Sequence, residues 1–197
     1  MADFILAHKK VAESEGGYTN NPNDNGNYVD GYLVGTNFGI SAPTLKHHLG
    51  YRPTRDEMYN LSPKVALLIY KNEYWNKIQG DNIKNQSIAH LLYDSAVNQG
   101  YSFTRGAIKK AVNNQNKEYE GLQAQQINKL NQKEFFDDIY KLRYDRYSTG
   151  NKLFRKGWIS RLEEIKFVNR NKSRLYLFSS IALLTTVSII IVFKWLK

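Results

Sequence analysis

The start of the chain decides the fold, because residues 2–18 read ADFILAHKKVAESEGGY. Four residues of this stretch recur at helical spacing on one face: Phe4, His8, Val11 and Glu15. Such spacing predicts an amphipathic helix over residues 2–14 whose last turn carries Glu15 on the side of the core. The glycine pair that follows is typical of a helix end.

The predicted position of Glu15 has a chemical consequence. A carboxyl that faces the core at the end of a helix is partly desolvated and lies near the negative end of the helix dipole, and both effects favour its protonated form. A general acid must be protonated at neutral pH. Glu15 is therefore the first candidate catalytic residue, and the alternative is an ordinary surface glutamate at a helix end.

A polar loop follows, and it carries two further candidates. Asp24 lies in an Asn-Asp-Asn-Gly run and Thr36 begins the stretch TNFGI, so the chain shows the order Glu, Asp, Thr that is typical of glycosidases. Between them, residues 28–33 are expected to form two short strands around an Asp-Gly turn. For Asp24 a second interpretation stays open, namely an Asx turn within the loop.

The remainder is expected to be largely helical. Helical segments are predicted over 42–49, from 54, from 63, and over 86–98, 105–113, 122–130, 133–147 and 157–169. The segment from 63 should direct four residues to the core: Val65, Leu68, Ile69 and Trp75. The segment over 86–98 should do so with Ile88, Leu91, Leu92 and Ser95.

The charge is unevenly distributed. The net charge is +10, yet residues 1–140 contain 15 basic and 15 acidic residues, while residues 141–174 contain 11 basic and 3 acidic ones. A nucleic-acid-binding domain usually spreads its basic residues over the folded body, so nucleic acid is not the expected partner. Basic residues that crowd beside an apolar segment suit an anionic membrane surface.

That apolar segment is residues 175–193, which are 19 consecutive residues without a charge. As a helix they would span about 28 Å, close to the thickness of a bilayer's hydrocarbon core. The sequence thus predicts one C-terminal transmembrane helix over 175–195. The N-terminus shows no signal peptide, so the expected location is a membrane with a single-pass anchor.

The motifs together resemble a known family. The stretches at 15–18 (EGGY), 21–26 (NPNDNG) and 36–40 (TNFGI) are similar to the N-terminus of glycoside hydrolase family 108, the lysozyme-like muramidases that include secretion-activator proteins and phage endolysins. The stretches at 94–100 and 157–161 are similar to that family's C-terminal peptidoglycan-binding region. Two features depart from the family pattern: Asn27 replaces a glycine, and the hairpin residues 28–35 are additional.

The resemblance implies a mainly α, lysozyme-like domain with a small β-hairpin near the active site. It implies a catalytic region over 1–112, a helical peptidoglycan-binding region over 113–170 packed on it, and cleavage of the MurNAc–GlcNAc bond with no cofactor. The catalytic candidates are Glu15, Asp24 and Thr36. The candidates for sugar contacts are Tyr18, Tyr32, Asn37, Tyr93, Asn98 and Gln99.

Several alternatives remain at this stage. The same Glu15 serves a lytic transglycosylase, and a non-catalytic, membrane-anchored wall-binding or assembly protein is the alternative outside enzymes. No metal site is expected, since the adjacent His47 and His48 face different directions on a helix and no Cys completes a set. Lysine and arginine are more frequent before the apolar segment than after it, which places the domain in the cytoplasm. That orientation suggests a phage protein for lysis or entry, and a homo-oligomer is left open.

Overall fold

The computed structural model describes residues 1–12 and 16–169. Glu15 and the predicted transmembrane segment over 175–195 lie outside the described residues. Among those described, the helices are α1 Phe4–Ala12, α2 Ala42–Leu49, α3 Arg55–Tyr59, α4 Pro63–Tyr70, α5 Gln86–Gln99, α6 Tyr101–Asn114, α7 Ala124–Ile127, α8 Gln132–Ser148 and α9 Lys152–Glu164. None of these helices is long and apolar enough to cross a membrane.

The predicted hairpin is confirmed. Strand β1 (Tyr28–Val29) pairs antiparallel with β2 (Tyr32–Leu33). The turn between them has positive φ at both central residues, 52° at Asp30 and 80° at Gly31, which matches the right-handed twist of the strands. The Asp30 carboxylate also accepts a hydrogen bond of 2.8 Å from Lys46 Nζ, which ties the hairpin to α2.

Three predicted helices are confirmed where the sequence carries strong local signals. On α1, Phe4 and Val11 are buried and His8 is half-buried. Helix α2 has the predicted bounds, because the Ser41 hydroxyl accepts from the backbone N–H of Thr44 and Gly50 ends the helix at φ 80°. The packed face predicted for α5 is buried in full.

The prediction for α4 is partly wrong. Ile69 is buried, and Trp75 just beyond the helix is buried as expected, but Val65 and Leu68 are 36% and 50% exposed. The inward face of α4 also includes Ala66. Because residues 65–70 are all apolar, their pattern cannot tell which side of the helix meets the core.

The C-terminal helices differ from prediction at their ends. Helix α6 begins at Tyr101 rather than 105, and α7 has only four residues, Ala124–Ile127. Helix α9 begins at Lys152 rather than 157, because the Asn151 side chain caps it by accepting from the N–H of Leu153. The glycine at 157, taken as a helix start, lies inside the helix.

Helix α5 is central to the core, and a buried arginine joins it to α8. Arg143 is fully buried, and its Nη2 donates to the Asp94 carboxylate and to the Tyr147 hydroxyl. Its Nε donates to Gln99 Oε1 at 2.7 Å and its Nη1 donates to the carbonyl of Leu91 at 3.1 Å. The guanidinium thus has three hydrogen-bond partners on α5 and a fourth, Tyr147, on its own helix α8.

We expect the Asp94→Ala variant to lose much of the stability, because it leaves the Arg143 charge buried without a counter-charge. Removing one partner of a buried pair costs about 3–5 kcal/mol in the free energy of unfolding. Urea denaturation measures this loss. The control is Asp137→Ala, which removes an exposed ion pair between Asp137 and Lys133 within α8. This variant should change the urea concentration at the midpoint of unfolding only a little. Equal effects of the two variants would contradict the assigned role of the buried pair.

Candidate active site

A tight turn at residues 37–40 forms one part of the site. The backbone N–H groups of Asn37 and Ile40 each donate to the other's carbonyl, at 3.2 and 2.8 Å. The two central residues have positive φ, 48° at Phe38 and 69° at Gly39. This conformation is unfavourable by about 1–2 kcal/mol for a residue with a side chain. The Phe38 carbonyl accepts a hydrogen bond of 3.1 Å from the Tyr70 hydroxyl, so α4 holds the turn in place.

The turn is joined to the segment that follows Glu15 in the chain. Thr36 and Thr19 form an antiparallel bridge in which each N–H donates to the other's carbonyl at 2.8 Å. The approach depends on Gly35, which has φ 104°. A Cβ at this position would lie 2.6 Å from Tyr18 Cε2 and 2.8 Å from the Thr19 carbonyl oxygen. Only glycine therefore allows Thr36 to lie beside residues 18–19.

Tyr18 is half-buried in this region and has partners on each side. Its hydroxyl donates to the Val34 carbonyl at 3.1 Å and accepts from Arg55 Nε at 3.1 Å. Its ring meets the edge of Tyr59 at a centroid distance of 5.2 Å. Tyr18 is thus fixed between the loop and α3, with an aromatic surface that suits a sugar ring.

Asp24 caps a short 3₁₀ helix over Asn25–Asn27. Its Oδ1 accepts from the Gly26 N–H at 2.9 Å, and the residue is exposed. This geometry is that of an Asx turn, which was the second interpretation of Asp24. It leaves the carboxylate at the surface, where it also remains accessible to substrate.

Asn27 connects the Asp24 loop to Thr36. It is fully buried, its N–H donates to the Asp24 carbonyl, and its own carbonyl accepts from Val34 and Gly35, both at 2.9 Å. The side-chain amide donates to the Asn21 carbonyl at 2.9 Å. The sequence marked Asn27 only as a departure from a family glycine, and its role in positioning the loop was missed.

An aromatic cluster lies behind the predicted catalytic face of α1. His8 Nδ1 and the Tyr93 hydroxyl are 2.8 Å apart, and the His8 ring lies 4.8 Å from that of Tyr70. Burial lowers the pKa of His8 below its ordinary value of 6.5, because a charged imidazolium is poorly solvated there. The imidazole is therefore neutral at pH 7.

The remaining predicted sugar contacts lie in three places. Tyr32 is 57% exposed on the hairpin, where the Arg52 guanidinium lies 3.7 Å from its ring centroid. Asn37 is buried, and its amide donates to the carbonyls of Met58 and Tyr59. Three are on α5: Tyr93, Asn98 and Gln99.

Of the three on α5, Tyr93 is fully buried. The Asn98 amide donates to the Asp94 carbonyl at 2.9 Å, and the Gln99 amide oxygen accepts from Arg143. The structure thus brings Tyr18, Thr36 and Asn37 together. It leaves Asn98 and Gln99 in contact with the buried ion pair of α5 and α8. Over residues 1–12 and 16–169, no group of three or more His, Asp or Glu side chains is arranged to hold a metal ion.

Comparisons with known proteins agree with this geometry. Residues 8–100 match the model of the family described as Glycosyl hydrolase 108. Among solved structures, the chain is similar to one titled "Structure of Brucella abortus SagA", with a TM-score of 0.67 and 26% identity over 82% of this chain and 90% of that chain. No curated protein matches the chain. The family match supports a glycoside hydrolase, and the matched residues include Glu15, Asp24 and Thr36.

We expect Gly35→Ala to displace Tyr18 and Thr19 and to lower both stability and activity. The added Cβ would overlap the Tyr18 ring, in addition to the cost of positive φ. The control is Gly31→Ala at the hairpin turn, where φ is also positive but nothing lies within 4 Å of an added Cβ. Thermal unfolding should show the larger loss for Gly35→Ala. A smaller or equal loss would mean that residues 18–19 adapt without cost.

The lowered pKa of His8 predicts a pH dependence of stability. As the pH falls below 6.5, the unfolded chain takes up a proton that the folded imidazole resists, so the free energy of unfolding decreases. Burial lowers the pKa of His90 in the same direction. Urea denaturation between pH 7.5 and about 5 should show a shallower decrease for His8→Gln than for the native chain. The decrease should be shallower still for the double variant with His90→Gln. An unchanged slope in both would refute this assignment.

Proposed function

We propose that the chain, whose residues 8–100 match the Glycosyl hydrolase 108 family, is a peptidoglycan hydrolase that cleaves the MurNAc–GlcNAc bond with Glu15 as general acid. The observation that carries the proposal is that one matched stretch contains the Glu15-Gly-Gly motif, the Asp24 loop and the Thr36 turn. The bridge between Thr36 and Thr19 joins the last of these to the segment that directly follows the motif.

The surroundings of the α1 face support acid catalysis. Phe4 and Val11 are buried and His8 is neutral. By sequence, Glu15 is the next residue of this face, one turn after Val11. A carboxyl beside apolar and uncharged groups retains its proton at higher pH. It can then protonate the glycosidic oxygen as the sugar develops oxocarbenium character.

The second half of the reaction requires a water molecule, and we assign its orientation to Thr36 and Asp24. The Thr36 hydroxyl belongs to a residue whose backbone is fixed on both sides, by Thr19 and by the turn at 37–40. The exposed Asp24 carboxylate is held by its own Asx turn and by Asn27. Water activation by a second carboxyl gives inversion when the two carboxyls are about 6.5–9.5 Å apart.

We further propose that residues 175–195 anchor the enzyme in a membrane, on the sequence argument given above. A wall hydrolase on the cytoplasmic side of a membrane is separated from its substrate. A phage protein that waits at the host membrane until lysis, or one carried in a virion membrane, would meet the wall only when needed. Protease accessibility in intact spheroplasts tests the orientation, since an exposed domain would refute the waiting arrangement.

The decisive test compares two neighbouring glutamates. In turbidity assays on purified peptidoglycan, with the full chain in mild detergent, Glu15→Gln should lose at least about 100-fold in rate, as expected for a general acid. Glu13→Gln is the matched control, because residue 13 lies on the opposite side of the predicted helix, and it should retain the rate. Asp24→Asn should lose less than Glu15→Gln.

The products of the same reaction decide the chemistry. Mass spectrometry of the fragments should show reducing ends, whereas anhydro ends would indicate a lytic transglycosylase. No clearing by the native chain, or equal losses in the two glutamate variants, would refute the hydrolase with Glu15 as its acid.

A further inference from the structure

An apolar groove lies between the start of α1 and the length of α4. It has a volume of about 770 Å³, and its apolar lining consists of Ala2, Phe4, Ile5, Val65, Leu67 and Leu68. Ile5 and its neighbour Leu6 are 57% and 60% exposed, and Leu68 is 50% exposed. Of these three, only Leu68 was predicted to face the core. Ile5 and Leu68 line the groove together, and Leu6 is exposed next to Ile5 on α1.

Lysines flank this surface on both helices. Lys9 and Lys10 lie one turn after Ile5 and Leu6, and Lys64 and Lys71 lie on either side of Leu68 on its face of α4. We call these four lysines, together with Ile5, Leu6, Val65 and Leu68, the α1–α4 face. Long lysine side chains around an aliphatic centre suit the interface of an anionic bilayer, where the alkyl stems stay apolar and the ammonium groups reach phosphates.

The two acidic residues of the groove are engaged with the protein. Asp3 Oδ1 accepts from the Leu6 N–H at 3.0 Å and so caps α1. Asp81 accepts from Trp75 Nε1 at 2.8 Å and lies 3.8 Å from Lys71 Nζ. Among the described residues, no carboxylate pairs with Lys9, Lys10 or Lys64. The face is therefore net positive.

The last described residues of the chain, 168 and 169, lie close to the same groove. Val168 donates its N–H to Ser87 Oγ at 3.0 Å and accepts from the Asn85 amide at 3.2 Å. The residue between these two, Gln86, holds Asp3 through two hydrogen bonds of 2.6 and 2.9 Å. Five residues, 170–174, separate Asn169 from the uncharged segment that begins at 175, and the six steps of chain from 169 to 175 span at most about 20 Å.

We propose that the α1–α4 face rests on the anionic bilayer into which residues 175–193 insert, so that the domain has a fixed orientation on its membrane. This rests on the proposed anchor and not on the proposed catalysis. The C-terminal segment itself does not fit as the occupant of the groove. A helix of 19 residues is about 28 Å long, whereas the eight residues of α4 extend about 12 Å, so more than half of the segment would remain in water.

The orientation has a functional consequence. On α1, Leu6 and Lys9 lie on the side opposite to Phe4 and Val11, which are buried. The sequence places Glu15 on the Phe4 side. A bilayer on the α1–α4 face would therefore lie on the side of α1 opposite to the one on which the sequence places Glu15.

The absence of cysteine from the chain allows a direct test. Leu6→Cys, Leu68→Cys and Tyr32→Cys would each be labelled with an environment-sensitive fluorophore in the full chain, reconstituted in phosphatidylcholine vesicles with and without phosphatidylglycerol. Tyr32 is the control, because it lies on the hairpin and its exposure of 57% is close to the 60% of Leu6 and the 50% of Leu68. Quenchers attached to lipid should quench the labels at 6 and 68 at least about threefold more than the label at 32.

Charge reversal completes the test. Lys9→Glu with Lys64→Glu should reduce lipid quenching at residue 68 towards the level at residue 32. The matched pair Lys109→Glu with Lys110→Glu, exposed on α6, should leave it unchanged. Equal quenching at all three positions would overturn the proposal.

Two other results would also overturn it. Labels shielded without any lipid would indicate the C-terminal segment in the groove, and shielding that grows with protein concentration would indicate a second copy. Turbidity assays in detergent should be normal for both lysine pairs, so a failure here is distinguishable from a failure of the proposed hydrolase.

Discussion

The buried ion pair between Asp94 and Arg143 is the constraint on which the arrangement of the helices depends. A guanidinium without water is tolerated only where its hydrogen bonds and charge are matched. The match here needs the Leu91 carbonyl and the side chains of Asp94 and Gln99 together, which permits one register of α8 on α5. Tyr93, the neighbour of Asp94, meets His8 on the other side of α5. One turn of α5 therefore aligns the C-terminal helices and the first helix.

This dependence extends past the residues that match the hydrolase family. The matched stretch ends at residue 100, yet Asp94 and Gln99 have their charged partner at Arg143, in a helix beyond it. A family region cut at its boundary would lose that partner together with the helix that packs on this side of α5. Helix α8, which lies after α6, is thus needed for the stability of the helical core on which α1 packs.

The sequence was sufficient to predict those structural features that are determined by neighbouring residues. Local sequence predicted correctly the Asp-Gly hairpin, the Ser41 and Gly50 ends of α2, and the α1 face as far as Val11. Glu15, the last residue predicted for that face, lies outside the described residues. The sequence was insufficient where the role of a residue depends on hydrogen-bond or ion-pair partners that are far away along the chain. Nothing near Arg143 indicates burial, since its carboxylate partner is 49 residues away. Asn27 and Asn37 look like ordinary loop residues, but their roles depend on carbonyls that only the folded loop brings near. The predicted start of α9 was wrong because Gly157 was taken as the beginning of the helix, whereas Asn151 is the residue that caps it.

The wrong prediction for α4 differs from these, because it concerns which side of the helix is exposed to solvent. Residues 65–70 are all apolar and α4 packs on one side only, so Val65 and Leu68 remain exposed. Exposed apolar side chains lower solubility unless something covers them. Lysines flank these apolar side chains on α1 and α4, and the described chain ends nearby at residue 169. Both features favour an anionic bilayer as the surface that covers Val65 and Leu68. A helix with its side chains is about 10–12 Å across, so the proposed contact would hold the Phe4 side of α1 at roughly that height above the membrane surface. Under the proposed anchor, a wall hydrolase would act on the strands nearest its own bilayer, and its location would limit its substrate as much as its chemistry would.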